Sequence, residues 1–184
     1  MSRKYRIRNQ EKLYFVTFTI VEWIDVFTRK HYKDILIESL KYCQNNKGLD
    51  LCAFCIMSSH IHLIVGRNGE PTIEAIIRDF KKFTAIEILK SIQGSSNESR
   101  KEFLLHHFRQ AGAKNPNNST FQIWQQHNHP IELNSNDKIT RCLNYIHQNP
   151  VVAGIVFSAE DYVYSSASNY AGLPEKLIDV LFIE

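Results

Sequence analysis

No part of the chain approaches the roughly 18 consecutive apolar residues that a membrane-spanning helix needs. The basic N-terminus is not followed by an apolar stretch, so the sequence shows no secretory signal peptide. We also find no internal repeat. The sequence therefore predicts a cytoplasmic protein that has no membrane partner.

Cysteine is scarce, and the four cysteines are scattered: Cys43, Cys52, Cys55 and Cys142. Cys52 and Cys55 form a C-x-x-C pattern, but they lie in LCAFCIM, which has the composition of a strand. Residues three apart on a strand point to opposite faces, so these two thiols are not expected to chelate one ion. We predict reduced cysteines in the core of a cytoplasmic protein.

The length of 184 residues suffices for one domain with a proper core, and the net charge is only +3. The charge is unevenly placed, because four of the first eight residues are basic: Arg3, Lys4, Arg6 and Arg8. A short basic arm beside a folded domain often contacts phosphate groups, although a solvated, frayed terminus has the same composition. We predict one domain over residues 1–184 with a basic arm over residues 1–10.

Hydrophobic periodicity predicts an alternation of strands and helices along the chain. The predicted strands are residues 13–21, 51–57, 60–66 and 121–126, and the predicted helices are residues 31–46, 72–92, 102–109 and about 136–149. Gly48 is expected to stop the first helix and Pro150 the last. Only Ser58-Ser59 separates the second and third strands, which predicts a tight hairpin.

This order of elements predicts an α+β fold, in which an antiparallel sheet of four or five strands carries helices mainly on one face. The open face of such a sheet is available for a site. Residues 93–120 have the composition of loops around one short helix, which predicts a loop insertion rather than a domain boundary.

Two histidines interrupt the apolar strand SSHIHLIVG. On a strand, His60 and His62 project to one face, while Ile61 and Leu63 project to the core face. Two imidazoles about 7 Å apart at the backbone converge readily on one cation. A pair of packed or solvated histidines is the structural alternative. Two neutral nitrogens make an incomplete metal site, so a third ligand is required.

The last predicted helix brings two further polar residues to its edge. With Ile146 in the buried stripe, Tyr145 lies to one side, and Asn149 lies one turn later on the same side. His147 falls on the opposite flank, and Gln148 points outward. The structural alternative is a boundary tyrosine bound to water, followed by a helix-ending asparagine.

The motif HIH (residues 60–62), followed roughly eighty residues later by YIHQNPVVAGIV (residues 145–156), resembles the REP-associated tyrosine transposases. These are single-tyrosine transposases of the HUH endonuclease superfamily. Also similar to the family are the segment SAEDYVYSSASNYAG and the pairs Phe80-Lys81 and Trp124-Gln125. The resemblance covers roughly residues 13–172, and it implies a single HUH transposase domain with that superfamily's ferredoxin-like sandwich.

The resemblance also implies a reaction, the cleavage of single-stranded DNA by attack of Tyr145. The products are a 5′-phosphotyrosine link and a free 3′-hydroxyl. His60 and His62 are implied ligands of Mg²⁺ or Mn²⁺. The family's third ligand, four residues after the tyrosine, corresponds to Asn149, which has less reach than a glutamine.

Family members act on imperfect DNA hairpins, so the implied partner is single-stranded or hairpin DNA in the bacterial nucleoid. The residues expected to contact this DNA are Arg3, Lys4, Tyr5, Arg6, Arg8, Lys81 and Lys82. Tyr5 is expected to stack on an unpaired base. Some relatives are dimers that exchange the tyrosine helix and others are monomers, so the resemblance leaves a homodimer open.

Three other functions compete with this interpretation. A non-catalytic nucleic-acid-binding module of ferredoxin-like topology would need neither Tyr145 nor a metal. A two-histidine phosphoesterase would need a second His motif, for which only His106-His107 and His127-His129 are candidates. A replication or conjugation initiator of the same superfamily would share the chemistry, and only the genomic context would distinguish it.

Overall fold

The computed structural model describes residues 7–115 and 120–183. The predicted DNA contacts at Arg3, Lys4, Tyr5 and Arg6 therefore lie outside the described residues.

The fold is the predicted α+β class, with one four-stranded sheet in the described part of the chain. The strands are β1 (Tyr14–Thr19), β2 (Leu49–Ile56), β3 (His60–Arg67) and β4 (Ile131–Glu132). The helices are α1 (Lys30–Lys47), α2 (Ile73–Gly94), α3 (Lys101–Ala113), α4 (Asn136–Val152) and α5 (Ala167–Tyr170). The strand order is β2-β3-β1-β4, and every pairing is antiparallel.

The alternation of side chains along β1 and β3 separates the two faces of the sheet. On one face, Phe18 packs against Phe80 of α2, with ring centroids 5.8 Å apart, and α1 lies beside α2. On the other face, α4 brings the Tyr145 ring to within 5.1 Å of the His62 ring. The two longest helices thus share the core face, as predicted, and α4 covers part of the face that carries the histidines.

Two local features predicted around β2 and β3 are present: the end of α1 at Gly48 and the tight hairpin. Gly48 caps α1 with φ at 65°, a left-handed conformation that glycine adopts without steric cost. The tight hairpin is also confirmed, because the Met57 N–H donates to the His60 carbonyl oxygen at 2.8 Å.

The predicted strand over residues 121–126 is wrong, because this segment makes only one isolated bridge, between Trp124 and Ile20. Two backbone hydrogen bonds flank this bridge, from the Val21 N–H to the Ile123 oxygen (2.9 Å) and from the Gln125 N–H to the Thr19 oxygen (2.8 Å). Side-chain contacts add to them. The Trp124 indole N–H donates to Thr84 Oγ1 at 3.1 Å, and its ring lies 5.6 Å from that of Phe27. The fourth strand, β4, comes later in the chain and has only two residues.

The prediction that Pro150 ends helix α4 is wrong, because the helix continues to Val152. Pro150 is buried within the last turn. The turn is closed by bonds from the Ala153 N–H to the Asn149 oxygen (3.0 Å) and from the Ile155 N–H to the Pro150 oxygen (2.9 Å). These bonds and the burial of the ring outweigh the tendency of a pre-proline residue to leave helical geometry.

The segment predicted as a loop insertion contains a helix, α3, that is longer than the predicted 102–109 and is packed into the core. Leu104 and Phe108 are fully buried. Just before α3, the buried Glu98 forms an ion pair with Arg29, whose Nε lies 2.9 Å away, and accepts a hydrogen bond from the Tyr32 hydroxyl at 3.0 Å. These contacts join the segment to the start of α1.

The residues after Pro174, which the sequence left unassigned, lie along the free edge of β2. The Leu181 N–H donates to the Leu51 carbonyl oxygen at 2.9 Å, and Ile178 is buried. None of the described helices is both long and apolar enough to cross a bilayer.

Candidate active site

Strand β3 holds His60 and His62 on one face, as predicted, with ring centroids 4.7 Å apart. The neighbouring β1 residues opposite them are Thr19 and Thr17. His62 is almost completely buried, whereas His60 is partly exposed. The two rings form the floor of a site that lies on the sheet and opens away from the core.

Hydrogen bonds orient both imidazoles through the same nitrogen. His62 Nδ1 lies 2.8 Å from Thr17 Oγ1, and His60 Nδ1 lies 3.1 Å from Ser59 Oγ. Within the described residues, the buried Nε2 of His62 has no hydrogen-bond partner. A buried nitrogen without a partner is costly to the fold unless a ligand completes it. With Nδ1–H donating to Thr17, Nε2 carries the lone pair that a metal ion requires.

Burial also determines the protonation state of His60 and His62. It lowers the pKa of His60, and it lowers the pKa of His62 to about 3, with a smaller contribution from His60 itself. Both rings are therefore neutral near pH 7, which is the form that binds a metal ion.

Helix α4 places Tyr145 over this pair. The Tyr145 ring stands edge-on to His62 at 5.1 Å and to Phe15 at 6.0 Å. Phe15 in turn stacks on His62 at 5.5 Å. The next residue, Ile146, is fully buried and anchors the helix, while 54% of the Tyr145 surface stays exposed. A phenol in this position is accessible to a large substrate, and it lies beside His62, which in turn contacts His60, in a single chain.

The other polar residues of α4 lie as the helical wheel predicts. Gln148 is exposed, and His147 faces away from the site, where its Nε2 lies 2.9 Å from Ser166 Oγ. Burial lowers the pKa of His147 to about 4. Asn149 is half-buried, one helical turn beyond Tyr145. Its assignment as a metal ligand stays a prediction.

In residues 7–115 and 120–183, no cluster of three or more His, Cys, Asp or Glu side chains is suited to hold a metal ion. The two histidines therefore need a third ligand of another type, such as an amide oxygen. The C-x-x-C cysteines do not contribute, because both are buried free thiols whose pKa burial raises to about 12.

A cavity of about 380 Å³ opens beside Tyr145, between β1, β4 and α4. Its lining residues are Phe15, Thr17, His62, Ile131, Lys138, Arg141, Cys142 and Tyr145. Lys138 and Arg141 were not predicted to be site residues from the sequence. Their side chains supply positive charge to the wall of this cavity. Their spacing, seven and four residues before Tyr145 on one helix, is the sequence signal that places them on the tyrosine side.

The basic residues predicted to contact DNA differ in accessibility. Arg8 and Lys82 are exposed. The Lys81 ammonium points inward, where it donates to the Gln125 carbonyl oxygen at 2.7 Å and to Asn128 Oδ1 at 2.6 Å. Burial lowers the pKa of Lys81 to about 8, which leaves the ammonium mostly charged at pH 7. Lys81 thus holds the loop after Trp124 against the sheet.

These neighbouring lysines give a matched test. We expect Lys81→Met to lower the free energy of unfolding by about 1–3 kcal/mol, because two oxygens lose their donor. Lys82→Met is expected to change it by less than about 0.5 kcal/mol. Urea unfolding measures both. If the chain binds hairpin DNA, as the resemblance in its sequence implies, Lys82→Met is expected to reduce the salt dependence of that binding by about one counterion. Equal losses of stability in the two variants would contradict this division of roles.

Comparisons with known proteins identify one matching family and similar solved structures. The family described as "Transposase IS200 like" matches residues 12–111. A solved structure of a REP-associated tyrosine transposase bound to a REP hairpin is similar over 100% of this chain and 94% of its own, with a TM-score of 0.63 and 17% identity. A crystal structure of a protein assigned as a transposase of Deinococcus radiodurans R1 has a TM-score of 0.45 and 18% identity over 78% of this chain and 95% of its own. A comparison with curated protein sequences gives no match.

Proposed function

Because this chain belongs to the IS200-like transposase family, we propose that it is a metal-dependent single-stranded DNA endonuclease and strand transferase of the REP-associated tyrosine type. The observation that best supports this proposal is the convergence of three side chains from distant parts of the sequence. The His60 and His62 rings are 4.7 Å apart, and the Tyr145 ring lies 5.1 Å from His62.

In the proposed reaction, the Tyr145 oxygen attacks the phosphorus of a phosphodiester in single-stranded DNA. The bond from phosphorus to the 3′-oxygen breaks, and the phenolic proton leaves to solvent while the released 3′-oxygen takes up a proton. The products are a 5′-phosphotyrosine link and a free 3′-hydroxyl. The link conserves the energy of the phosphodiester, so a later 3′-hydroxyl can displace the tyrosine without ATP. Attack by water would end in hydrolysis instead.

A phenol is a weak nucleophile near neutral pH, because its ordinary pKa is about 10. In the proposed mechanism the site compensates by position, because ring contacts with His62 and Phe15 hold the Tyr145 side chain beside the histidine pair. A single chain supplies both the histidines and the tyrosine, so a homodimer would not be needed to assemble this site.

The residues present fit a divalent cation. His62 Nε2 is buried without a partner in the described part of the chain, and both imidazoles are neutral. We propose that His60, His62 and Asn149 hold Mg²⁺ or Mn²⁺. When bound, such an ion withdraws charge from the scissile phosphate and from the leaving oxygen.

We propose hairpin DNA with a single-stranded flank as the substrate. The similar solved structure carries a REP hairpin, and this chain has an open basic surface beside Tyr145. We propose that Lys138 and Arg141 in the cavity wall contact phosphates next to the scissile bond. Farther contacts are proposed for the basic arm and Lys82: Arg3, Lys4, Tyr5, Arg6, Arg8 and Lys82. These contacts weaken with salt.

The test is a covalent adduct between the protein and hairpin oligonucleotides taken from the flanks of its own gene. With Mn²⁺, we expect an oligonucleotide labelled at its 3′ end to remain on the protein in a denaturing gel. The same oligonucleotide labelled at its 5′ end should give a shorter free fragment. Binding without any adduct would support the non-catalytic module. Retention of the 5′ label would contradict the proposed polarity.

A further inference from the structure

Trp23 is a large exposed aromatic residue at the edge of the candidate active site. Its side chain keeps 60% of its surface exposed, and its ring lies edge-on to His60 with centroids 5.4 Å apart. The other tryptophan of the chain, Trp124, is buried. An exposed indole beside a candidate catalytic histidine is available to contact a bound ligand.

The backbone that presents Trp23 is sterically strained. Glu22 and Trp23 have φ values of 56° and 58°, a left-handed conformation that residues with a β-carbon rarely adopt, and here two occur in succession. Such strain persists only where the surroundings impose it, and it concentrates at binding and catalytic sites.

The segment before and within α3 holds this strained turn in place. Glu22 Oε2 lies 2.6 Å from His107 Nδ1 of α3. Close by, Arg100 Nη1 donates to Asp25 Oδ1 at 2.7 Å. These two contacts connect the turn to part of the segment that we predicted to be an insertion. They thereby limit the movement of the Trp23 ring relative to the histidine pair.

Trp23 and Tyr145 lie at opposite ends of the histidine pair. Trp23 contacts His60, His60 contacts His62, and His62 contacts Tyr145, with centroid distances of 5.4, 4.7 and 5.1 Å. Displacement at phosphorus proceeds with the attacking and leaving oxygens roughly in line. A phosphate over the histidine pair, attacked from the Tyr145 end, directs its leaving 3′-oxygen toward Trp23.

We propose that Trp23 is a stacking platform for the unpaired base of the leaving nucleotide, the one that departs with the free 3′-hydroxyl. The inference rests on the proposed function, because it takes the scissile phosphate to lie over His60 and His62. Base stacking on an aromatic ring tolerates any sequence and holds the strand in register. Trp23 is thus a positioning residue that keeps the leaving 3′-oxygen in line with Tyr145.

Binding can be measured without cleavage in the Tyr145→Phe variant. The probe is a hairpin oligonucleotide with a single-stranded flank, and a blunt duplex of equal length is the control. We expect the flanked hairpin to quench tryptophan fluorescence and the duplex to leave it unchanged. The quenching should disappear when Trp23→Phe is added. Equal quenching in that double variant would assign the signal to Trp124 and overturn the proposal.

An abasic nucleotide, moved one position at a time along the flank, separates stacking from a merely structural role. At one position the missing base is expected to weaken binding about tenfold in the presence of Trp23, and to have no effect in Trp23→Ala. Trp23→Phe should retain most of the affinity. Phe157→Ala, at a fully exposed aromatic residue, serves as the control and is expected to bind normally. Equal losses at every position in both proteins would contradict stacking.

The two proposals fail in different ways. Adduct formation with no effect of Trp23→Ala on binding would leave the proposed function standing and remove the platform. Fluorescence quenching and an abasic effect without any adduct would leave a base-binding site on a protein that does not cleave DNA. The position of the sensitive base relative to the cleaved bond then tests the assignment to the leaving nucleotide.

Discussion

Replacing Tyr145 by phenylalanine is expected to abolish the covalent DNA adduct and to leave hairpin affinity within about twofold of the wild type. The change removes only the hydroxyl, and the ring contacts with His62 and Phe15 remain. Since more than half of the side chain is exposed, the free energy of unfolding should also stay the same. Denaturing gels measure the adduct, and titration of labelled hairpin measures affinity.

Tyr42→Phe is the matched control, because Tyr42 is 56% exposed, against 54% for Tyr145, and lies on α1 on the core face of the sheet. Tyr42→Phe should form the adduct at the wild-type rate. An adduct that persists in Tyr145→Phe would move the nucleophile to another residue. Loss of the adduct together with a loss of stability would instead point to a structural role for the hydroxyl.

The faces on which His60, His62 and Tyr145 lie could be predicted from the sequence, because the signals for them are local. The two-residue period of a strand predicts that His60 and His62 share one face of β3 and that Ile61 lies on the other. Helical periodicity around Ile146 likewise separates Tyr145 from His147 and Gln148, and the structure agrees on both. These inferences need only the period of the element and one buried residue.

Features that depend on tertiary contacts were missed or misjudged. Lys81 has the composition of a surface residue, but its ammonium is bound by the loop after Trp124. Residues 121–126 have the composition of a strand, yet they form only one isolated bridge, to Ile20, and the Trp124 indole bonds to Thr84 of α2. The exposure and strain of Trp23 depend on bonds from a segment about eighty residues away, which no local pattern encodes.

Two costs to stability coincide at the candidate site. The buried Nε2 of His62 has no partner among the described residues, and the turn at Glu22 and Trp23 is strained. Sequences usually satisfy buried polar atoms and place glycine in left-handed positions. Departures of this kind at one place indicate selection for binding or chemistry at the expense of stability.

We therefore expect His62→Phe to stabilise the metal-free protein and to eliminate the adduct. The substitution removes a buried nitrogen that lacks a partner, which should raise the free energy of unfolding by about 1 kcal/mol. The adjoining cavity of about 380 Å³ has room for the slightly larger ring, and Thr17, which is partly buried and lines that cavity, can bond to water in place of Nδ1. Urea unfolding in a chelator measures stability, and denaturing gels measure the adduct.

His147→Phe is the contrasting control, because His147 is a partly buried histidine of α4 whose ring has a partner, Ser166 Oγ. Losing that bond should lower the free energy of unfolding by about 1 kcal/mol and leave adduct formation intact. Mn²⁺ should raise the Tm of the wild type and of His147→Phe, since a ligand that binds only the folded state stabilises it, and should leave His62→Phe unchanged. Destabilisation by His62→Phe with an unaltered response to Mn²⁺ would make His62 a structural histidine and remove the metal site from the mechanism.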